Sequence, residues 1–226
     1  MSTINIANFP DYFTAYRWVN PHHASHGYSG DRFPGFPWIK SLEERGAWLA
    51  SSGPLPTAPT DYIRSLLAWG AGKNDPTMRF EAGLGNVCLR DVFNGVVAAL
   101  DDPERAITAA LQLPGCGLTY ASKLLRFLRP DLHASLDSRI RDALLKEKLL
   151  DRVSDGNLNS MVRNYVKFQK LCSDLVSQLD ANGIKRPDCA LPAGAGASGW
   201  RVADVEMALF MWAANKAEWS QEAEMA

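Results

Sequence analysis

The sequence predicts an all-α protein. Apolar residues recur at helical spacing in most segments after residue 58, no stretch alternates apolar and polar residues over a useful strand length, and no internal repeat is present. A chain of 226 residues is long enough for one large domain or for two small helical lobes sharing a core. With 46% hydrophobic and 22% charged residues it belongs with globular chains, and a net charge of −1 gives no overall nucleic-acid signature.

Residues 1–58 read as an irregular N-terminal wrap over a helical body. They hold Phe9-Pro10, Tyr12, Phe13, Tyr16, Trp18 and Phe33-Pro34-Gly35-Phe36-Pro37-Trp38, with one helix expected from Leu42 to Ala50. Pro54 to Pro59 breaks the chain, and residues 59–226 form the helical domain. Its first helix runs from Asp61 to Trp69, with Ile63, Leu66 and Leu67 on one face, and halts in the loop that begins at Gly70. Asn86 to Leu100 carries Val92, Phe93, Val96 and Val97 on a wide apolar face and reads as a core helix.

Asp102-Pro103-Glu104-Arg105 is a helix start, because Asp caps free N–H groups and Pro is tolerated in the first turn. That helix covers Ala106 to Gln112. Pro114 and Gly115 stop it, and Gly117 turns the chain into a second run through Tyr120, Leu124, Leu125 and Leu128. Arg129-Pro130-Asp131 ends the second helix, and Asp137 caps a third. A long helix follows from Asn157 to Leu179, ended by Asn182-Gly183, then a loop from Pro187 to Gly199 and a final helix from Val202 to Lys216.

Several function classes drop out. Cys88, Cys116, Cys172 and Cys189 are scattered without a CxxC pair, so a reduced cytosolic protein is expected rather than a disulfide scaffold or an iron–sulfur protein. No basic segment followed by an apolar core opens the chain, and no signal peptide or membrane span is expected. His22-His23-Ala24-Ser25-His26 lies between Pro21 and Gly27 with no acidic or Cys ligand beside it, so a polar loop is expected and no metal. Gly72-Lys73 lacks the glycine a phosphate loop needs five residues earlier. No cofactor is implied. Between Lys123 and Lys148 seven Lys or Arg stand against four Asp or Glu, a locally basic strip suited to a phosphate backbone.

Leu113-Pro114-Gly115-Cys116-Gly117, the helix after it and Leu136-Asp137-Ser138-Arg139-Ile140 together resemble the helix-hairpin-helix and downstream aspartate of the DNA glycosylase superfamily, which includes the endonuclease III and 8-oxoguanine glycosylase families. The hairpin unit spans residues 111–141. The resemblance implies a helix-hairpin-helix glycosylase-like fold and cleavage of an N-glycosidic bond in double-stranded DNA, with the damaged or modified base flipped out. An oxidised purine such as 8-oxoguanine is the leading expectation, and a modified base of foreign DNA, as in a defence role, is the alternative within the class. Outside it stand a non-catalytic DNA-binding hairpin and an all-α interaction protein. A monomer in the cytoplasm, associated with the nucleoid, is expected.

Breaking an N-glycosidic bond builds positive charge on the deoxyribose, so a carboxylate beside the sugar stabilises the transition state; Asp137 is the candidate, and it also fits an ordinary helix cap. Gly115, Cys116, Gly117 and Thr119 are expected to approach a DNA phosphate with backbone N–H groups, and His133 is a further phosphate candidate. Relatives that also cleave the strand carry a Schiff-base lysine two residues after the second hairpin glycine, where this chain has Thr119. Lys123, one turn on, faces the same way. It serves either as a displaced nucleophile with lyase activity or as a partner of phosphate or aspartate in an enzyme that uses water. For the base pocket the candidates are Trp69, Lys73, Asn74, Trp200 and Trp212.

Overall fold

The computed structural model describes residues 4–17, 36–70 and 76–224, with side chains up to Lys216. Among the described residues there are ten α-helices and no strand. They are α1 (Phe9–Thr14), α2 (Phe36–Ser51), α3 (Thr60–Gly70), α4 (Thr77–Gly83), α5 (Leu89–Ala98), α6 (Pro103–Ala110), α7 (Leu118–Leu128), α8 (Ser138–Lys146), α9 (Leu158–Ala181) and α10 (Val202–Glu224). The all-α expectation is met. None of these helices is long and apolar enough to cross a membrane.

The N-terminal segment differs from the irregular wrap that its Pro and aromatic content suggests. Pro10 sits in the first turn of α1 and Pro37 in the first turn of α2, positions where a missing N–H costs nothing, so these prolines start helices instead of breaking them. Phe9 and Phe13 are buried in the core, where both meet the Trp200 ring edge-on. Helix α2 is correspondingly longer than the Leu42 to Ala50 expected, and α4 was not expected at all.

Elsewhere the local chemistry behaves as the residue types dictate. Asp102 accepts the N–H groups of Glu104 and Arg105 at 3.0 and 3.1 Å, and Asn157 accepts that of Ser160 at 3.0 Å, each capping its helix. Gly183 closes α9 in the left-handed region at φ +64°. Apolar residues from all ten helices belong to one contiguous cluster, so the core is shared rather than divided.

Two helical stretches are buried on every face. All of residues 121–128 of α7 and 202–213 of α10 are inaccessible, including Ser122, Lys123, Arg126, Asp204 and Glu206. Their charges are met by a chain of alternating sign. Arg126 stands 3.6 Å from Glu206 and 2.9 Å from Glu43 of α2; Glu43 accepts from Arg201 at 2.7 Å; Arg201 donates to Asp204 at 2.8 Å, which in turn pairs with Arg186 at 2.9 Å. Removing one member leaves its neighbours buried and unpaired. Glu43→Gln should therefore cost about 3–5 kcal/mol of unfolding free energy in a denaturant titration; a loss below 1 kcal/mol, the size of a surface pair, would contradict the buried chain.

Candidate active site

The hairpin joins α6 to α7 through residues 111–117. Gly115 takes φ +68°, and a Cβ there would lie 2.7 Å from Arg79 Cβ and from the Phe80 backbone nitrogen, so glycine is required by both conformation and the close approach of α4. Gly117 is different. It caps α7 with an ordinary φ of −84°, and a Cβ on it would meet nothing within 4 Å. The fold does not demand glycine at 117, and the space beside it at the start of α7 is open.

Helix α7 fixes the loop that carries Asp137. The Ser122 hydroxyl accepts the N–H of Leu136 at 2.9 Å, and Thr119 donates to the Leu136 carbonyl at 3.4 Å. From the other side Gln169 of α9 accepts the N–H of Ala134 at 2.9 Å and donates to the carbonyl of Leu132 at 2.7 Å. Asp137 follows at once, capping α8 by accepting the Arg139 N–H at 2.7 Å, and its side chain stays partly accessible.

Asp137 and Lys123 line one small pocket with Trp69, Ser135, Glu206, Tyr16 and Phe210. The space inside is about 10 Å³ for the centre of a water-sized sphere, room for one water molecule. Lys123, 5% exposed, donates to the Gly70 carbonyl at 3.3 Å, and its Nζ lies 5.3 Å from the Trp69 ring centre and 5.1 Å from that of Tyr120. A Cβ on Gly70 would stand 3.0 Å from that Nζ, so the glycine at the end of α3 makes room for the lysine. Burial lowers the pKa of Lys123, while the carboxyls of Asp137 and Glu206 work the other way. Burial pushes Glu206 up to about 7 against the pull of Arg126, with the charge of Asp137 adding to the rise and Lys123 opposing it. Ser135, also buried, lines the pocket, and its hydroxyl has no hydrogen-bond partner.

Of the expected site residues the structure therefore brings Asp137, Lys123 and Trp69 together, and Thr119 bonds the Leu136 carbonyl just before Asp137, while neither hairpin glycine lines the pocket. Others need correction. His133 does not face DNA: it is fully buried, with Nε2 2.8 Å from the Leu100 carbonyl and Nδ1 3.1 Å from the Tyr165 hydroxyl. Cys116 is buried too, and its N–H closes the turn onto the Leu113 carbonyl at 3.2 Å, so it has no donor to offer a phosphate. Trp200 is a core residue, donating to the Ile184 carbonyl at 2.9 Å. Trp212 follows the pocket residue Phe210 by two positions, a rotation of about 200° that turns it to the opposite side of α10. Lys73, Asn74 and the His22 to His26 stretch lie outside the described residues.

Sequence reasoning missed Glu206, Ser135, Tyr16 and Phe210. A signal existed for Glu206, a lone carboxylate in the apolar run Val205 to Ala213. No cluster of three or more metal-ligating side chains occurs among the described residues. Comparison with family models, characterised proteins and solved structures returns no match to this chain.

Burial lowers the His133 pKa to about 4, so the folded state binds its proton more weakly than the unfolded chain does. The stability this provides is present above the unfolded value near 6.5 and is lost as the pH falls toward 4. The gap in melting temperature between wild type and His133→Gln should shrink from pH 7 to pH 4; a constant gap would mean that the imidazole is not buried neutral.

Proposed function

We propose that this chain is a DNA glycosylase of the helix-hairpin-helix kind, removing a damaged or modified base, an oxidised purine first among them, with Lys123 as the amine nucleophile. The observation that carries the reading is the meeting of Lys123 and Asp137 in one small pocket against the helix that follows the hairpin, although 14 residues separate them in the chain. An exposed helix lysine would be fully charged at neutral pH. This one is buried, its affinity for a proton is reduced, and two aromatic rings flank it.

The chemistry follows from these groups. The neutral Lys123 amine attacks C1′ of the flipped nucleotide, the glycosidic electron pair leaves with the base, and the base takes up a proton. Positive charge grows on the sugar as the bond lengthens, and the Asp137 carboxylate stabilises it. Transfer of a proton from Nζ to O4′ opens the ring and leaves an imine on Lys123; loss of the C2′ proton then breaks the C3′–O3′ bond, and the 3′ phosphate leaves. Gly117 and the first turn of α7 hold the neighbouring phosphate and set the sugar at the pocket. Because the pocket holds one water, a base is admitted only when a wall side chain swings away.

A panel of modified-base duplexes scored for abasic sites and strand breaks tests the reading. Activity on at least one base should fall by about 10³-fold or more in Asp137→Asn, in keeping with loss of a transition-state charge; a variant with undiminished activity would favour a non-catalytic DNA-binding hairpin. The two hairpin glycines should separate cleanly. Gly115→Ala should lose on the order of 2 kcal/mol of stability or more through strain and the contact with α4. Gly117→Ala should cost about 1 kcal/mol at the cap yet weaken duplex binding measured by fluorescence anisotropy. Equal binding by Gly117→Ala and wild type would remove the phosphate contact from this position.

A further inference from the structure

We propose that Glu206 is a positioning residue for the proton of Lys123: resting on the reading of this pocket as a glycosylase site, it takes up the proton that the ammonium loses before its amine attacks. The step balances within the pocket. Lys123 ammonium and Glu206 carboxylate become Lys123 amine and Glu206 carboxylic acid, and the freed electron pair on Nζ forms the bond to C1′.

Three observations carry this assignment. Both residues are about 5% exposed and line the same pocket, whose space fits a single water, so one water can carry the proton between them. In water an ammonium holds its proton about 6 pH units more tightly than a carboxylate. Here burial raises the carboxyl and lowers the ammonium, which brings the two toward each other. Finally, the two carboxyls of the pocket are held differently. Asp137, partly accessible, spends one oxygen on the cap of α8, whereas Glu206 is enclosed on α10.

The other charged and titratable groups around Glu206 are consistent with that role. Arg126 of α7 lies 3.6 Å away and favours the carboxylate, but it sits closer to Glu43, at 2.9 Å, which offsets its charge. Asp137 before α8 favours the acid form. Tyr16 after α1 and Cys172 of α9 are both kept neutral by burial, and Arg139 of α8 acts on Tyr16.

The test follows the Lys123 side chain directly, by NMR of the full chain with carbon-13 at lysine Cε and the signal assigned with Lys123→Arg. In the wild type this signal should show, besides its own titration, a second inflection near pH 7 as Glu206 changes charge. Its absence overturns the proposal without the need for a variant. In Glu206→Gln the inflection should vanish and the lysine midpoint should fall by about one pH unit or more, a tenfold change in free amine; Glu206→Asp should restore the inflection. An unmoved midpoint overturns the assignment. Borohydride trapping on abasic-site DNA, followed across pH, separates the two levels of inference. A wild type that forms no adduct overturns the glycosylase reading and the role of Glu206 with it. A wild type that forms the adduct, beside a Glu206→Gln protein with an identical pH profile, overturns Glu206 alone.

Discussion

The structure depends on one constraint: α7 is buried on every side from Ala121 to Leu128, yet three residues of that stretch are polar or charged. A buried polar group without a partner costs free energy, so the surroundings of α7 are organised to supply partners. Ser122 is met by the backbone of Leu136, which fixes where Asp137 leaves the loop. Lys123 is met by the last carbonyl of α3 and by two aromatic rings, which closes the pocket wall. Arg126 is met by Glu43 and Glu206, which ties α2 and α10 to the same helix. The candidate site is thus the set of partners that a buried polar helix requires.

The same constraint shapes the electrostatics. Three guanidiniums and three carboxylates alternate from Glu206 to Arg186, and the end of that chain opens into the pocket. Glu43, an interior carboxylate, has a guanidinium on each side. Glu206 has one, at longer range, and a pocket on the other side, and burial raises its pKa. A structural ion-pair network thereby ends in a group with a proton affinity near neutrality, which is where acid–base chemistry is done.

Much of the fold was legible in sequence because it rests on local signals. Asp102 and Asp137 cap the helices they were expected to cap, and the Gly115-Cys116-Gly117 turn stands where it should. The N-terminal prolines misled because Pro at a helix start and Pro in extended chain look the same without knowledge of what packs on the next turn; Phe9 and Phe13 settle the matter only through contact with Trp200. For the site, Asp137 and Lys123 were found from their distance to the hairpin. Glu206, Ser135 and Tyr16 come from far along the chain and are assembled by packing, which no local pattern records. His133 and Trp200 failed for the converse reason. A polar or aromatic side chain beside a motif is often there to satisfy the core, and which way it points is decided by partners such as Tyr165 or Ile184.

The central claim is that the Lys123 amine forms the bond to the sugar, and peptide mapping of the borohydride-reduced protein–DNA adduct measures it most directly. The adduct mass should reside on the peptide containing Lys123 and disappear in Lys123→Ala. An adduct on any other lysine, or base release with no trappable adduct, would contradict the account.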